Sequence, residues 1–384
     1  MKPFQFSILL LLLFSTAAGP AAEPAYYLWQ RSWTPAVRQA AGQCGRPLLI
    51  FAAELSGSRT ERSDAPAGIW KKEEVTAVFR LRAGALNPAG FQRLAAEITR
   101  NGCAKVQLDI DVPERRLEEY AKLLETLKRA LPPEVNELSL TALPCHLGRK
   151  EFAAVAQFAD YYVLQLHGLD VPAHIDDRYS LLDGEAARTA IRRARQLGRP
   201  FRIALPAYAY RLSFGQDGSF AAISAEGAAP PGNRYRRRLA APELKLLAGL
   251  IRENSDLRMI WFRLPVEGDR LCYDRTTLEA LEQGKSPSPR LDIELRRVAK
   301  NALELWITPQ SQLRLEPVEL TLKWPSGTGE FEPAPGTERR PREAPFGILP
   351  DRLSVAFPGC GTPVRAATFL VDETNHPVVK EIQP

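Results

Sequence analysis

The chain has 384 residues, 45% of them hydrophobic and 25% charged, which are globular values. Its five cysteines (Cys44, Cys103, Cys145, Cys272, Cys360) are scattered without a CxxC or other ligand-like spacing, and its four histidines are equally dispersed. This argues against a zinc site, a dense disulfide framework or a metal cluster; no metal, cofactor or required disulfide is expected.

Taken from the start, Met1-Lys2 precedes the apolar run Ile8 to Phe14 and the small-residue stretch Ser15-Thr16-Ala17-Ala18-Gly19-Pro20-Ala21-Ala22. Residues 1–22 read as a secretory signal, too short for a comfortable membrane span. Cleavage is expected near Gly19 or Ala22, and no cysteine follows to carry a lipid. The expected product is an exported protein, periplasmic or secreted, with no stable membrane span. The formal charge of +6 becomes about +5 when Lys2 leaves, and export argues against a nucleic-acid partner.

Eight segments then read as strands: Tyr26 to Trp33, Leu48 to Leu55, Ala77 to Leu81, Lys105 to Asp111, Glu137 to Leu143, Tyr161 to His167, Phe201 to Tyr208 and Met259 to Leu264. Helical patterns such as Gly90 to Asn101, Pro113 to Ala130, Gly184 to Leu197 and Pro242 to Glu253 lie between them. Strand and helix alternating eight times predict a closed (β/α)8 TIM-type barrel of the α/β class over residues 23–284. A linker follows at 285–291, where the run Gly284-Lys285-Ser286-Pro287-Ser288-Pro289 straddles its start. Residues 292–384 lack helical periodicity and predict a small β-sandwich-like domain, either a carbohydrate-binding module or a structural companion.

The stretch Arg211 to Ala241 is unusually long for a loop. It contains the hairpin-turn signal Gln216-Asp217-Gly218-Ser219 and the arginine cluster Arg234-Tyr235-Arg236-Arg237-Arg238. After a seventh barrel strand it would lie over the mouth as a lid. This cluster and Arg192-Arg193-Ala194-Arg195 are either solvated surface or an attraction for an anionic envelope polymer or acidic saccharide.

Chemistry is expected at the strand ends on the barrel mouth. In Val106-Gln107-Leu108-Asp109-Ile110-Asp111 the period of two puts Gln107, Asp109 and Asp111 on one face. Two carboxylates that close tend to separate their pKa values, which suits an acid and a base of glycoside hydrolysis. Alternatively, one Asp pairs with Arg31 or Arg263 inside the barrel and the other caps the helix at Pro113. Trp29 and Arg31 on the first strand, Gln165 and His167 on the sixth, Tyr208 and Tyr210 after the seventh, and Trp261 and Arg263 on the eighth complete a candidate substrate-binding set, with Trp29, Tyr208 and Trp261 as sugar platforms. His167 reads as a binding or structural group ahead of a proton shuttle. Cys145 lacks a positioned base for nucleophilic work.

The segment Asp109-Ile110-Asp111-Val112-Pro113-Glu114 is loosely similar to the fourth-strand acidic signature of chitinase-like glycosidases, in which alternating Asp residues lead to a catalytic Glu. Here Glu114 comes one residue late, on a starting helix, and reads as structural. Taken together, Tyr27-Leu28-Trp29-Gln30-Arg31-Ser32-Trp33, Val106 to Asp109, Leu138-Ser139-Leu140-Thr141-Ala142-Leu143-Pro144, Val163-Leu164-Gln165-Leu166-His167-Gly168 and Phe201-Arg202-Ile203-Ala204-Leu205-Pro206 resemble the bacterial family called domain of unknown function 3142. The resemblance spans nearly the whole mature chain. It implies a glycosidase-like barrel and transfers no catalytic residues. Three functions stay open: a glycoside hydrolase using Asp109 and Asp111, a non-catalytic envelope-glycan-binding protein, and a structural partner of a secreted complex. The partner in the first two is an oligo- or polysaccharide.

Overall fold

The computed structural model describes residues 23–168, 171–225, 235–269, 271–287, 291–309, 318–325, 330–335, 337–340, 351–355, 363–371 and 376–381. The signal-like segment 1–22, Arg234 and Cys360 lie outside them.

Eight parallel strands close a barrel: β1 Ala25–Leu28, β2 Leu48–Ser56, β3 Val75–Leu81, β4 Lys105–Asp109, β5 Glu137–Ala142, β6 Tyr161–Gln165, β7 Phe201–Pro206 and β8 Met259–Phe262. Neighbours in sequence pair in space, and β1 completes the ring by pairing with both β2 and β8. Strands buried on both faces read as continuous apolar runs, and Leu48 through Leu55 is buried throughout.

Alternation divides each strand between two layers. Ala25, Tyr27, Leu49, Val78, Tyr161, Val163, Ala204 and Ile260 fill the barrel interior. Tyr26, Ile50, Phe79, Val106, Leu108, Leu140, Leu164, Leu205 and Trp261 instead meet the helices. Those helices are α1 Pro35–Gln43, α2 Pro88–Asn101, α3 Leu117–Ala130, α4 Lys150–Ala156, α5 Gly184–Leu197, α6 Leu244–Glu253 and α7 Arg275–Glu282. Their ends follow local chemistry. Asp183 caps α5 by accepting from the Ala186 amide at 2.8 Å, and α5 stops at Gly198 in the left-handed region.

Several boundaries differ from the sequence reading. β1 ends at Leu28, so Trp29 and Arg31 stand on the loop above it, and β4 ends at Asp109, leaving Asp111 beyond the strand. The α-helix expected from Pro113 begins at Leu117, after a 3-10 turn over Glu114–Arg116; Asp111 caps nothing there. Between β2 and β3 the connection is an added antiparallel strand, Arg59–Arg62, and a 3-10 turn, Ala67–Lys71.

The stretch expected to be a plain loop is a sheet in its described parts. Tyr210–Phe214 runs between Phe220–Ser224 and Arg236–Ala240 as a three-stranded antiparallel sheet. Leu212, Phe214 and Ala240 form its core against Ile175, Tyr179, Tyr210 and Phe220. A period-two apolar face was therefore present, masked by the surrounding glycine and proline. The turn is where the sequence put it: Gly218 has φ 85° and a side chain there would strike the His174 ring.

Beyond the barrel, two four-stranded sheets follow. Leu291–Ala299, Ala302–Pro309, Val364–Leu370 and Glu330–Pro333 make one; Thr337–Arg340, Asp351–Val355, Val318–Lys323 and Val378–Glu381 make the other. Leu303, Leu305, Ile307 and Phe369 from the first share a core with Leu320, Leu322, Leu353 and Val355 from the second, the layering of a sandwich. Cys44, Cys103, Cys145 and Cys272 are unpaired. No helix among the described residues is long and apolar enough to cross a membrane.

Candidate functional site at the barrel mouth

A cavity of about 320 Å³ opens at the C-terminal ends of the strands, a size at the lower end of small-ligand sites. Its wall is aromatic and its polar groups converge on one side. Phe262 is the hub, with ring centroids 5.3 to 5.9 Å from those of Tyr27, Trp29, His167 and Tyr208. Trp29 also packs edge-on against Phe51, and Tyr208 donates its hydroxyl to that of Tyr210 at 3.1 Å.

The two carboxylates share one cation. Arg80 stands opposite Asp109 in the parallel register of β3 and β4. Its Nη1 donates to Asp109 Oδ2 at 2.9 Å and its Nη2 to Asp111 Oδ2 at 2.7 Å, while the guanidinium lies over the Trp29 ring at 5.6 Å. Asp109 is otherwise enclosed. Its Oδ1 accepts from Thr141 Oγ1 at 3.0 Å and Gln165 Nε2 at 3.2 Å, and only 3% of its side chain is exposed. Burial pushes the Asp109 pKa up and Arg80 pulls it back, with Asp111 adding to the rise. Asp111 is the open member, with 43% of its side chain exposed. No described residue donates to its Oδ1.

This arrangement is unlike a free acid/base pair. Both carboxylates are spent on one guanidinium, and the buried Asp109 keeps a raised pKa although Arg80 pulls against it. The alternative of one Asp paired with an arginine and the other capping a helix is met only in part: the arginine is Arg80, and Asp111 joins it there instead of capping.

Each other arginine at the mouth is likewise paired. Arg31 bonds Glu54 at 2.9 Å and also contacts Glu61, and Arg82 bonds Glu54 at 3.0 Å. Arg263 donates to Asp269 Oδ2 from Nε at 2.8 Å and from Nη2 at 2.5 Å, and its Nη1 donates to the Ala225 carbonyl at 2.9 Å. His167 packs between Tyr208 and Phe262 with its Nδ1 buried and unpartnered. Burial holds its pKa down to about 4, so the ring is neutral at pH 7.

The structure thus brings Trp29, Arg31, Asp109, Asp111, Gln165, His167, Tyr208, Tyr210 and Arg263 to one cavity. Two expected members are elsewhere. Trp261 is fully buried on the helix-facing side, its indole N–H donating to Glu282 at 2.7 Å. Alternation along β8 puts Phe262 inside in its place, and Arg263 reaches the cavity because it stands past the strand end. Gln107 is fully buried below the cavity, accepting from the Tyr27 hydroxyl at 2.5 Å. Arg80, Ala225 and Phe262 are lining residues that the sequence reading passed over. Glu114 is outside the lining and pairs with Arg149. No cluster of three metal-ligating side chains occurs among the described residues.

Residues 89–267, from α2 to just past β8, match the family described as Domain of unknown function (DUF3142). The match is shorter than the near-complete coverage expected from the motifs. No curated protein matches the chain. Among solved structures, the Bacillus cereus spore cortex-lytic enzyme SleL is similar at TM-score 0.51 and 12% identity, covering 70% of this chain and 75% of that one. The Bacillus megaterium QM B1551 spore cortex-lytic enzyme SleL gives 0.50 and 14%, with the same coverage of each chain. A chitinase from Chromobacterium violaceum ATCC 12472 gives 0.48 and 13%, covering 69% of this chain and 99% of its own. At these identities the likeness is one of fold alone, a (β/α)8 barrel of the kind seen in the two SleL structures.

Proposed function

We propose, from a chain whose residues 89–267 match DUF3142 on a glycosidase-like barrel, that the mouth binds an oligosaccharide and holds it without an acid/base pair. The observation that carries this reading is the cavity itself. Trp29, Tyr210 and Phe262 line it with aromatic surface suited to a sugar ring, and polar groups stand beside them. Its two Asp residues are tied to Arg80. Amino-sugar polymers of the cell-wall type are the first ligands to try, because the similar proteins at TM-scores of 0.50 and 0.51 are named spore cortex-lytic enzymes.

The test is titration calorimetry of the purified chain with N-acetylglucosamine oligomers and peptidoglycan fragments, with product analysis on the same mixtures. Saturable binding without new reducing ends, weakened at least about tenfold by Trp29→Ala, is expected. Absence of binding, or binding indifferent to that substitution, would defeat the reading. A second reading, hydrolysis, is favoured by one observation: Asp111 is open and has an oxygen that no described residue bonds. Release of product that disappears in Asp111→Asn would make that reading the better one. We further propose that residues 1–22 direct export, so that the site meets envelope or extracellular glycans; N-terminal sequencing of the protein from periplasm and medium tests it.

A further inference from the structure

The basic clusters at 192–195 and 234–238 suggest an anionic ligand, but the described charges at the mouth suggest the opposite. Three guanidiniums, those of Arg31, Arg80 and Arg82, form one ion-paired network with four carboxylates, those of Glu54, Glu61, Asp109 and Asp111, and Arg263 forms a separate pair with Asp269. Every one of these cations is already bonded to a carboxylate of the set. That network carries one more carboxylate than guanidinium, and of its two open carboxylates, Glu61 and Asp111, only Asp111 lines the cavity. The two basic clusters contribute nothing to the described lining. Arg195 is spent on Asp256 at 2.7 Å, and Arg238 donates to the carbonyls of Ile175 and Asp177.

The floor also shows what kind of group it suits. Arg80 occupies a cage of two carboxylates under an indole face, the environment of a bound cation. The remaining wall, Phe262 with Tyr208 and Tyr210, extends that aromatic surface. His167 remains neutral above about pH 4 and adds no positive charge to repel a cation.

We infer that the sugar taken at the mouth carries a free, protonated amine, a de-N-acetylated hexosamine within its oligomer, and that the Asp111 carboxylate selects it through Oδ1. The inference rests on the saccharide-binding reading above. An ammonium bonded to Asp111 gains a charge-assisted hydrogen bond and cancels the excess charge; an acetamide supplies only a neutral N–H and brings a carbonyl for which the paired guanidiniums are already engaged. A uronate would be repelled.

The full chain is titrated with a glucosamine hexamer and an N-acetylglucosamine hexamer at about pH 6 and about pH 9.5, on either side of an amine titrating near an α-amino group at roughly 8. At the lower pH the glucosamine oligomer should bind about tenfold to a hundredfold tighter, the worth of one charge-assisted bond. The ratio should collapse to within about threefold at the higher pH and, at the lower pH, in Asp111→Asn. Asp111→Glu, which keeps the charge, should retain the preference, and the thermal transition of each variant reports whether it is folded. Equal affinities at low pH, tighter binding of the acetylated oligomer, or a preference that survives high pH or Asp111→Asn would overturn the inference. Binding of the acetylated oligomer alone leaves the saccharide reading standing without it, and binding of neither removes both.

Discussion

Replacing Arg80 by Met should destabilise the barrel in a strongly pH-dependent way. The substitution keeps the apolar stem over Trp29 and removes the cation shared by Asp109 and Asp111. Asp109, with 3% of its side chain exposed, then keeps only Thr141 and Gln165 as partners. Removing one member of a buried pair ordinarily costs about 3–5 kcal/mol. Protonation sets a ceiling. The variant can hold Asp109 neutral at a cost of about 1.4 kcal/mol per pH unit above the unfolded carboxylate's roughly 3.9, hence about 4 kcal/mol at pH 7 and about 1 kcal/mol at pH 4.5.

The sign follows from proton uptake. Burial already raises the Asp109 pKa in the folded state, and losing Arg80 raises it further. The folded protein therefore holds more protons than the unfolded one above the ordinary carboxylate range, and stability falls as pH rises through that window. Urea unfolding of both proteins at the two pH values checks this. The expected loss is about 3–4 kcal/mol at pH 7 and about 1 kcal/mol or less at pH 4.5. The same loss at both values, or less than about 1 kcal/mol at pH 7, would show that Asp109 does not depend on Arg80 for its charge.

His167→Phe should blunt acid sensitivity. With its pKa held down to about 4, the wild-type imidazole makes the folded state hold fewer protons than the unfolded one, and stability is lost as pH falls from about 6.5 toward 4, by up to roughly 3 kcal/mol; an unchanged pH slope in the variant would contradict the shift. Trp261→Phe should cost about 1–3 kcal/mol through its bond to Glu282 and its packing, and leave saccharide affinity at the mouth unaltered; a large affinity loss would return Trp261 to the site. Phe214→Ala, in the core of the three-stranded sheet, should cost about 3–5 kcal/mol in that sheet. Hydrogen exchange would locate the loss there, and near-zero cost would mean that the segment behaves as the plain loop its composition suggested.

The barrel was legible because its strands are short apolar runs at regular spacing, and the mouth was legible because polar residues collect at strand ends. Parity carried less far. Trp261 and Phe262 are adjacent aromatics on one strand, and only the register against β7, where Trp261 faces Leu205 and Phe262 faces Pro206, decides which enters the barrel. Arg80 was missed for a related reason: a single arginine closing an apolar strand looks like a solvated strand end until β3 and β4 are aligned and it falls opposite Asp109. Trp29, Arg31 and Asp111 reach the cavity from just beyond their strands, where period-two reasoning no longer applies. The sheet at 210–240 was obscured because its apolar partners Ile175 and Tyr179 come from an earlier connection.

The closing seam of the ring carries a consequence for how the protein is made. Ala25–Leu28 pairs on one side with Leu48–Ile50, synthesised almost at once, and on the other with Ile260–Phe262, nearly the last of the barrel to emerge. At roughly 5–20 residues per second the ribosome leaves that second partner missing for on the order of ten seconds or more. Throughout that interval the nascent chain can form at most a curved, seven-stranded open sheet whose two outer strands, β1 and β7, present unpaired amides and carbonyls, with most of their side chains apolar. Ring closure is thus a late, long-range event, and the window before it is when a holding chaperone or a neighbouring nascent chain has the greatest opportunity to bind either edge.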